Sequence, residues 1–163
     1  MSIYFEDLIT GVTRELGTHL FTRAEMIDFS WKFDPQPFHL DDAAGSASIY
    51  GGLIASGWHT TGVWLRHLVD DRNRERDHML YRGEQPARYG PSPGFEKLQW
   101  LKPIFAGDDI RFTTCIVEKR DVRSRPAVGL AIYQNEAFNQ HGDKVFSLVS
   151  KMFVERLTPF VPA

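Results

Sequence analysis

The stretch from residue 51 to 69, "GGLIASGWHTTGVWLRHLV", constrains the fold more than any other part of the chain. After the Gly51-Gly52 break it is apolar nearly all round. A helix built from it has no face to offer solvent and is predicted to be buried. Ala55, Ser56, Gly57, Thr60, Thr61 and Gly62 keep it slim, which favours close packing in spite of the helix-propensity cost of glycine. Such a helix packs closely on a sheet, and the second half of the chain supplies the strand signals. "EKLQWLKPIFAGDDIRFTTCIVEKRD" turns at Ala106-Gly107-Asp108 and then alternates through Ile110, Phe112, Thr114 and Ile116. "PAVGLAIYQNEAF" and "DKVFSLVSKMFVERL" flank "NQHGD", which predicts an antiparallel hairpin. One buried helix with long antiparallel strands is an α+β architecture. At 163 residues the chain is expected to form one domain, 1–163, with a real core. Residues 70–94, charged and then rich in Gly and Pro, read as an exposed excursion that is partly helical at most.

Upstream, "FTRAEMIDFSWKF" opens with Thr22 and Glu25 at capping-box spacing. Met26, Phe29, Ser30 and Phe33 then fall along one helical face. Pro35 stops that helix, so "FDPQPFHLDD" puts Asp34 at its exit and His39 on a loop beyond. Pro35 and Pro37 fix φ, remove donors and push the residues before them towards extended geometry, which excludes regular helix here. Two readings stand. Asp34 and His39 share a water held in a preorganised frame, or Asp34 only ends a helix and His39 is an ordinary loop residue. Gly57 has the same duality. A backbone N–H at a helix start, with nothing to block a carbonyl, suits an oxyanion hole, whereas a glycine there also serves close packing.

Other classes of function find little support. A formal charge of −2 gives no electrostatic reason to expect nucleic acid. The single cysteine, Cys115, excludes an intramolecular disulfide and a cysteine-rich zinc site, and reads as an inert core thiol. His59 and His67 read as structural, and Asp41 and Asp42 as caps or solvated groups. A metal held by His39 with these acids lacks a second well-spaced histidine, so none is expected. There is no P-loop or dinucleotide fingerprint. The start, "MSIYFEDLIT", is acidic where a signal peptide would be basic, and no apolar run approaches the roughly 18 residues of a membrane span. A soluble cytoplasmic protein is the expectation.

Taken together these blocks resemble the MaoC-like dehydratases, including the (R)-specific enoyl-CoA hydratases. "FEDLITGVTRELGTHLFTRAEMIDFS" looks like the first strand and helix of that family. "FDPQPFHLD" is similar to its Asp-x-Asn-Pro-x-His-x-Asp signature, "GGLIASGWHT" to its Ile-Ala-His-Gly helix start, and "LQWLKPIFAGDDIRF" to its Leu-Lys-Pro-Val-x-x-Gly-Asp strand and turn. The resemblance implies a single hotdog fold, an antiparallel β-sheet wrapped around a long central helix, assembled as a homodimer or higher homo-oligomer. It implies hydration of a trans-2-enoyl-CoA, with CoA carried by the substrate and no other cofactor. Asp34 and His39 would activate water, the Gly57 N–H would polarise the thioester carbonyl, and Gln36, Ser56 and Trp58 would lie about the substrate. The chain departs from the pattern at Gln36, which stands for the signature asparagine, and at Ser56, which stands for the histidine. A supporting serine of the family has no clear counterpart, Leu65 falling near its position. Trp58 and Trp64 either line an acyl pocket or fill core, and the core reading is preferred. "DRNRER", Lys97 and Lys102 read as solvated charge, not as a phosphate site. A hotdog thioesterase and a non-catalytic acyl-thioester binder are the alternative functions.

Overall fold

The structure, a computed structural model, describes residues 4–161. Its strands are β1 (Thr13–Leu20), β2 (Phe95–Trp100), β3 (Asp109–Asp121), β4 (Val128–Phe138) and β5 (Lys144–Glu155). They form one antiparallel sheet in the order β1-β3-β4-β5-β2, so β1 and β2 are its edges. The alternation in β3 holds for Ile110, Phe112 and Thr114, which are buried, but Thr113 between them is buried too and Ile116 is only partly covered. Cys115 points the other way and is only half-buried, so it is not a core thiol. The β4–β5 hairpin closes through Asn139, whose N–H donates to the Asp143 carbonyl at 3.0 Å, with Gly142 at φ +82° supplying the left-handed step.

Among the described residues four α-helices precede or cross the sheet: α1 (Arg23–Phe33), α2 (Pro37–Leu40), α3 (Asp42–Ala47) and α4 (Gly57–Tyr81). Thr22 caps α1, accepting from the Glu25 N–H at 3.3 Å, but the Glu25 carboxylate turns to His19 Nε2 at 2.6 Å and leaves the capping box half made. Met26 and Ser30 are buried, while Phe33 at the end of the same stripe is 71% exposed. The short α2 corrects the expectation of an irregular loop at His39. Pro37 occupies its first turn, where the missing N–H is no loss and the fixed φ is already helical.

The central helix α4 spans 25 residues, about 37 Å at 1.5 Å per residue. It starts at Gly57, later than the glycine pair. The preceding segment is extended, Ile54 pairing with Phe105 and the Ala55 N–H donating to the Ile104 carbonyl at 2.8 Å. Trp64 and Leu68 enter the main core beside Phe112, Phe146 and Leu148. The helix is not buried all round, because a single sheet covers only one side of it. Trp58, Leu65 and Val69 are 52%, 50% and 41% exposed.

Nor does the helix end at Val69. Residues 70–81 continue it, since Met79 remains an inward anchor at 2% exposure and Arg72 stacks on Tyr89 and Tyr133, while Arg74, Arg76 and Asp77 lie on the wet side. The rest of the expected excursion is partly tied down. Ala87 is buried, Tyr89 bridges to Val154, and the Gly90 N–H donates to the Phe153 carbonyl at 2.8 Å. Among the described residues no helix is long and apolar enough to cross a membrane.

Candidate active site

Two chain reversals bring the stiffened segment against the start of α4. Asp34 caps the C-terminus of α1, its N–H donating to the Ser30 carbonyl at 2.9 Å. Pro35 and Pro37 then turn the chain so that His39, only 5% exposed, faces back towards the Asp34 side chain. Nδ1 of His39 lies 2.8 Å from the Ile54 carbonyl oxygen. A carbonyl only accepts, so Nδ1 carries the proton and a neutral His39 presents the Nε2 lone pair. That nitrogen stands 3.4 Å from Oδ2 of Asp34. Two acceptors face one another there, which suits a bridging water that donates to both.

The carboxylate is held at both oxygens. The Gln36 amide donates to Oδ1 at 2.8 Å and the Ser56 hydroxyl to Oδ2 at 2.7 Å. Burial raises the Asp34 pKa, but the bonds from Gln36 and Ser56, helped by the charge of His39 whenever that ring is protonated, outweigh it and hold the carboxyl below its ordinary value. Ser56 has a second task. Its oxygen accepts from the Trp58 N–H at 3.2 Å and so caps α4. One hydroxyl thereby ties the acid to the positive end of the central helix.

Gly57 is the first residue of α4, where backbone N–H groups have no intrahelical acceptor. Asp34, His39, Gly57, Thr60, Trp58 and Trp100 line one cavity of about 530 Å³. A Cβ on Gly57 would stand 2.4 Å from the Trp100 ring, so only glycine fits beneath that indole. The Trp100 Nε1–H donates to the Thr61 hydroxyl at 3.3 Å, and its ring meets Trp58 edge-on with centroids 5.3 Å apart.

The structure therefore brings together Asp34, His39, Gly57, Gln36, Ser56 and Trp58. Trp58 is half-exposed on the cavity rim and not in the core, whereas Trp64 is core at 6% exposure. Leu65 faces outward at 50% exposure and takes no part; the buried Thr60, one turn past Gly57, lines the cavity while its hydroxyl donates back to the Ser56 carbonyl at 3.4 Å. Asp41 caps α3 by accepting from the Ala44 N–H at 2.8 Å, and Asp42 pairs with Arg23 at 2.6 Å. His59 and His67 pack on Phe29 and Phe112, ring centroids 4.7 and 5.3 Å apart. Lys102 lines the cavity and pairs with Asp143 at 2.7 Å, so it is not simply solvated charge, while Lys97 lies out on edge strand β2. Sequence reasoning missed three contributors: Thr60, Trp100 and the Ile54 carbonyl. Only the Ser56-to-Thr60 spacing of one helical turn carried a signal for any of them. Among the described residues, no cluster of three His, Cys, Asp or Glu side chains is placed to hold a metal.

Comparison with known proteins gives one consistent picture. A family model described as the MaoC like domain matches residues 10–136. The crystal structure of a MaoC-like dehydratase from Rhodospirillum rubrum is 31% identical, covers 98% of this chain and 100% of its own, and superposes with a TM-score of 0.79. The (R)-hydratase PhaJ1 of Pseudomonas aeruginosa, 17% identical over 99% of this chain and 96% of its own, shares the fold with a TM-score of 0.67. A mesaconyl-CoA hydratase of Cereibacter sphaeroides is 30% identical over 70 residues, 43% of this chain and 20% of the relative.

Proposed function

The chain belongs to the MaoC-like domain family, and from that premise we propose that it adds water to a trans-2-enoyl-CoA thioester, or removes it in the reverse direction. The observation that carries this reading is the facing of Asp34 Oδ2 and His39 Nε2 across 3.4 Å, in the cavity that Gly57 also lines. A water lodged beside the pair, on the cavity side, donates one hydrogen to each group and keeps an oxygen lone pair for the substrate. With the thioester carbonyl on the Gly57 N–H, the water oxygen bonds to Cβ. The π electrons move through Cα to the carbonyl oxygen, and the water proton passes to Nε2. The enolate then collapses as Nε2–H protonates Cα, giving the 3-hydroxyacyl thioester and neutral His39. Asp34 stays ionised, stabilising the transient imidazolium, while the N–H and helix dipole stabilise the enolate oxygen.

Gln36 and Ser56 are the positioning residues of this scheme, since each fixes one carboxylate oxygen. Trp58 and Trp100 shape the mouth of the acyl site. The partly exposed apolar face formed by Trp58, Leu65, Val69 and edge-strand Trp100 supports a homodimer or higher homo-oligomer, which sedimentation at micromolar concentration tests. CoA is the carrier consistent with the mesaconyl-CoA hydratase relative, and no further cofactor is required by the steps above.

Loss of the conjugated enoyl-thioester absorbance, followed over a panel of short- to medium-chain trans-2-enoyl-CoAs, is the test. Turnover by the wild type without release of free thiol supports hydration. Thiol release in place of hydration would make the protein a thioesterase, and tight binding without either would make it an acyl-thioester binder.

A further inference from the structure

Edge strand β2 carries the one non-glycine residue with positive φ among the described residues, Lys97 at +53°. That is the left-handed region, which residues with a Cβ seldom enter and which stores strain. The register shows what the strain accompanies. Phe95 pairs with Ser150 and Glu96 with Val149, but Gln99 pairs with Ser147 and Trp100 with Phe146. Three steps along β2 thus match two along β5, and Lys97 sits in a bulge with one extra residue. An extra residue reverses the phase of every side chain after it. Phe146 and Ser150 both point to the helix side of the sheet, Phe146 into the main core and Ser150 onto the buried Asn135 amide at 3.0 Å. In a regular strand Phe95 and Trp100, five positions apart, would point to opposite faces. The bulge instead sets Trp100 on the inner face opposite Phe146, turned towards α4.

There the indole rests on Gly57. A Cβ on that glycine would overlap Cδ2 and Cε2 of the ring, so the ring touches the glycine backbone itself. Its Nε1–H donates to the Thr61 hydroxyl at 3.3 Å, and that hydroxyl donates on to the Gly57 carbonyl at 2.9 Å. Trp58 closes against it edge-on. The cavity also has a direction, with Phe33, Trp58 and Trp100 exposed at its mouth and His39, Ile104 and Val145 buried at its floor. Building on the hydration reading above, we propose that Trp100, aimed by the Lys97 bulge, is a specificity residue that admits enoyl thioesters unbranched at Cα and rejects those with an α-methyl group. With the carbonyl oxygen on the Gly57 N–H and Cβ at the Asp34–His39 pair, Cα is the substrate carbon held beside Gly57, within reach of the indole. The chain beyond Cβ runs towards Ile104 and Val145, which leaves chain length to the floor. One surplus carbon in an apolar site changes kcat/KM by about 10–200-fold.

The test sets crotonyl-CoA against 2-methylcrotonyl-CoA in turnover by the full chain. In parallel, calorimetry compares binding of butyryl-CoA and 2-methylbutyryl-CoA, neither of which can be hydrated. Wild type should favour the unbranched member of each pair by about tenfold or more. Trp100→Ala should cut that ratio to roughly threefold or less, chiefly by lowering KM for the branched substrate. Trp100→Leu, which keeps an apolar side chain on the edge strand, should give an intermediate ratio and serves if the alanine variant does not fold. Lys97→Gly should keep the wild-type ratio, since glycine adopts φ +53° freely. Deletion of Lys97 removes the extra residue and should lose the discrimination as Trp100→Ala does. If the deletion does not fold, Lys97→Val, whose branched side chain resists the left-handed region, should lower the ratio in its place. Equal use of both members of a pair by wild type, or a ratio unchanged in the Trp100 variants, would overturn the proposal. A ratio that survives in the Lys97 deletion or in Lys97→Val would strip the bulge of its positioning role. Selective binding of butyryl-CoA without turnover of crotonyl-CoA would sink the hydration reading and leave the selection by Trp100 standing.

Discussion

Among the described residues there are two acid–imidazole pairs, and they differ in every respect that matters for chemistry. His19 Nε2 and Glu25 Oε1 stand 2.6 Å apart, with both side chains about one-third exposed at 31% and 32%. His39 Nε2 and Asp34 Oδ2 stand 3.4 Å apart, with side chains 6% and 19% exposed. At the shorter distance a single proton lies between nitrogen and oxygen, and the pair has satisfied itself. At the longer one, with Nδ1 already committed to the Ile54 carbonyl, Nε2 has no donor, and Oδ2, which accepts from Ser56, keeps a lone pair for a second one. Only the second pair lines the cavity that Gly57 shares. The lesson is that proximity of an acid to a histidine says little. What counts is whether the frame around the pair leaves its atoms able to accept from a third group.

The sharpest way to break this comparison is to remove each member in turn. His39→Ala and Asp34→Asn should each lower kcat for enoyl-CoA hydration by about 10²–10⁴-fold, the usual range for a positioned acid–base group. Both variants should keep the wild-type circular dichroism spectrum. His19→Ala should stay within about twofold of wild type in rate, for want of any contact with the reacting atoms. Should His19→Ala fall as far as His39→Ala, the distinction drawn here collapses. Next in size is Gly57→Ala. Its Cβ meets the Trp100 ring at 2.4 Å, so either the indole or the helix start must shift. A fall in kcat of about 10²-fold is expected, comparable to the loss of one oxyanion donor. Trp100→Ala in the same background should restore part of it if the clash is the cause.

Ser56→Ala sharpens the comparison by stripping one hydrogen bond from the carboxylate of the Asp34–His39 pair. Asp34 is held below its ordinary value of about 3.9 in the folded state. Its depressed pKa therefore contributes stability that is present above the unfolded value and lost as pH falls through the folded one. Removing the Ser56 donor raises the folded pKa. The acid limb of the pH–kcat profile should move to higher pH, with a loss of roughly tenfold or less on the plateau. The same change removes the α4 cap, at a cost of about 1 kcal/mol. A limb that stays put while stability drops would reduce Ser56 to a cap alone.

How much of this could be read from residues alone differs between the fold and the site. The sheet was legible because β3, β4 and β5 carry period-two burial and flank recognisable turns at Gly107 and Gly142. The central helix was legible in its existence but not in its extent. Charges from Asp70 onward read as an excursion because the sequence does not show that Met79 returns to the core. Asp34, His39 and Gly57 were picked out by stiffened spacing and by a helix start. Their convergence was not readable, since it depends on the Ile54 carbonyl and on Ser56, 22 residues from the acid it binds. Trp58 was assigned to the core because size alone cannot say which face of a helix the sheet will leave bare. The His19–Glu25 contact was hidden too. Glu25 looked like half of a capping box, and the tertiary partner won.

That contact gives the smallest expected effect and a useful control. Glu25→Gln keeps the side-chain shape and a hydrogen bond to His19 while removing the charge. With both groups one-third exposed, the loss should be about 0.2–1 kcal/mol in a urea melt, the range measured for solvent-accessible ion pairs. The difference should shrink as salt is raised, because the pair is open to screening. The hydration rate should not change at any pH at which the protein is folded. A Glu25→Gln enzyme that lost rate but not stability would place this pair in communication with the cavity through Phe21 and His59, whose rings lie 5.1 Å apart between the two sites. In that event the two acid–imidazole pairs would form one network, and their different geometries would mark two roles in it.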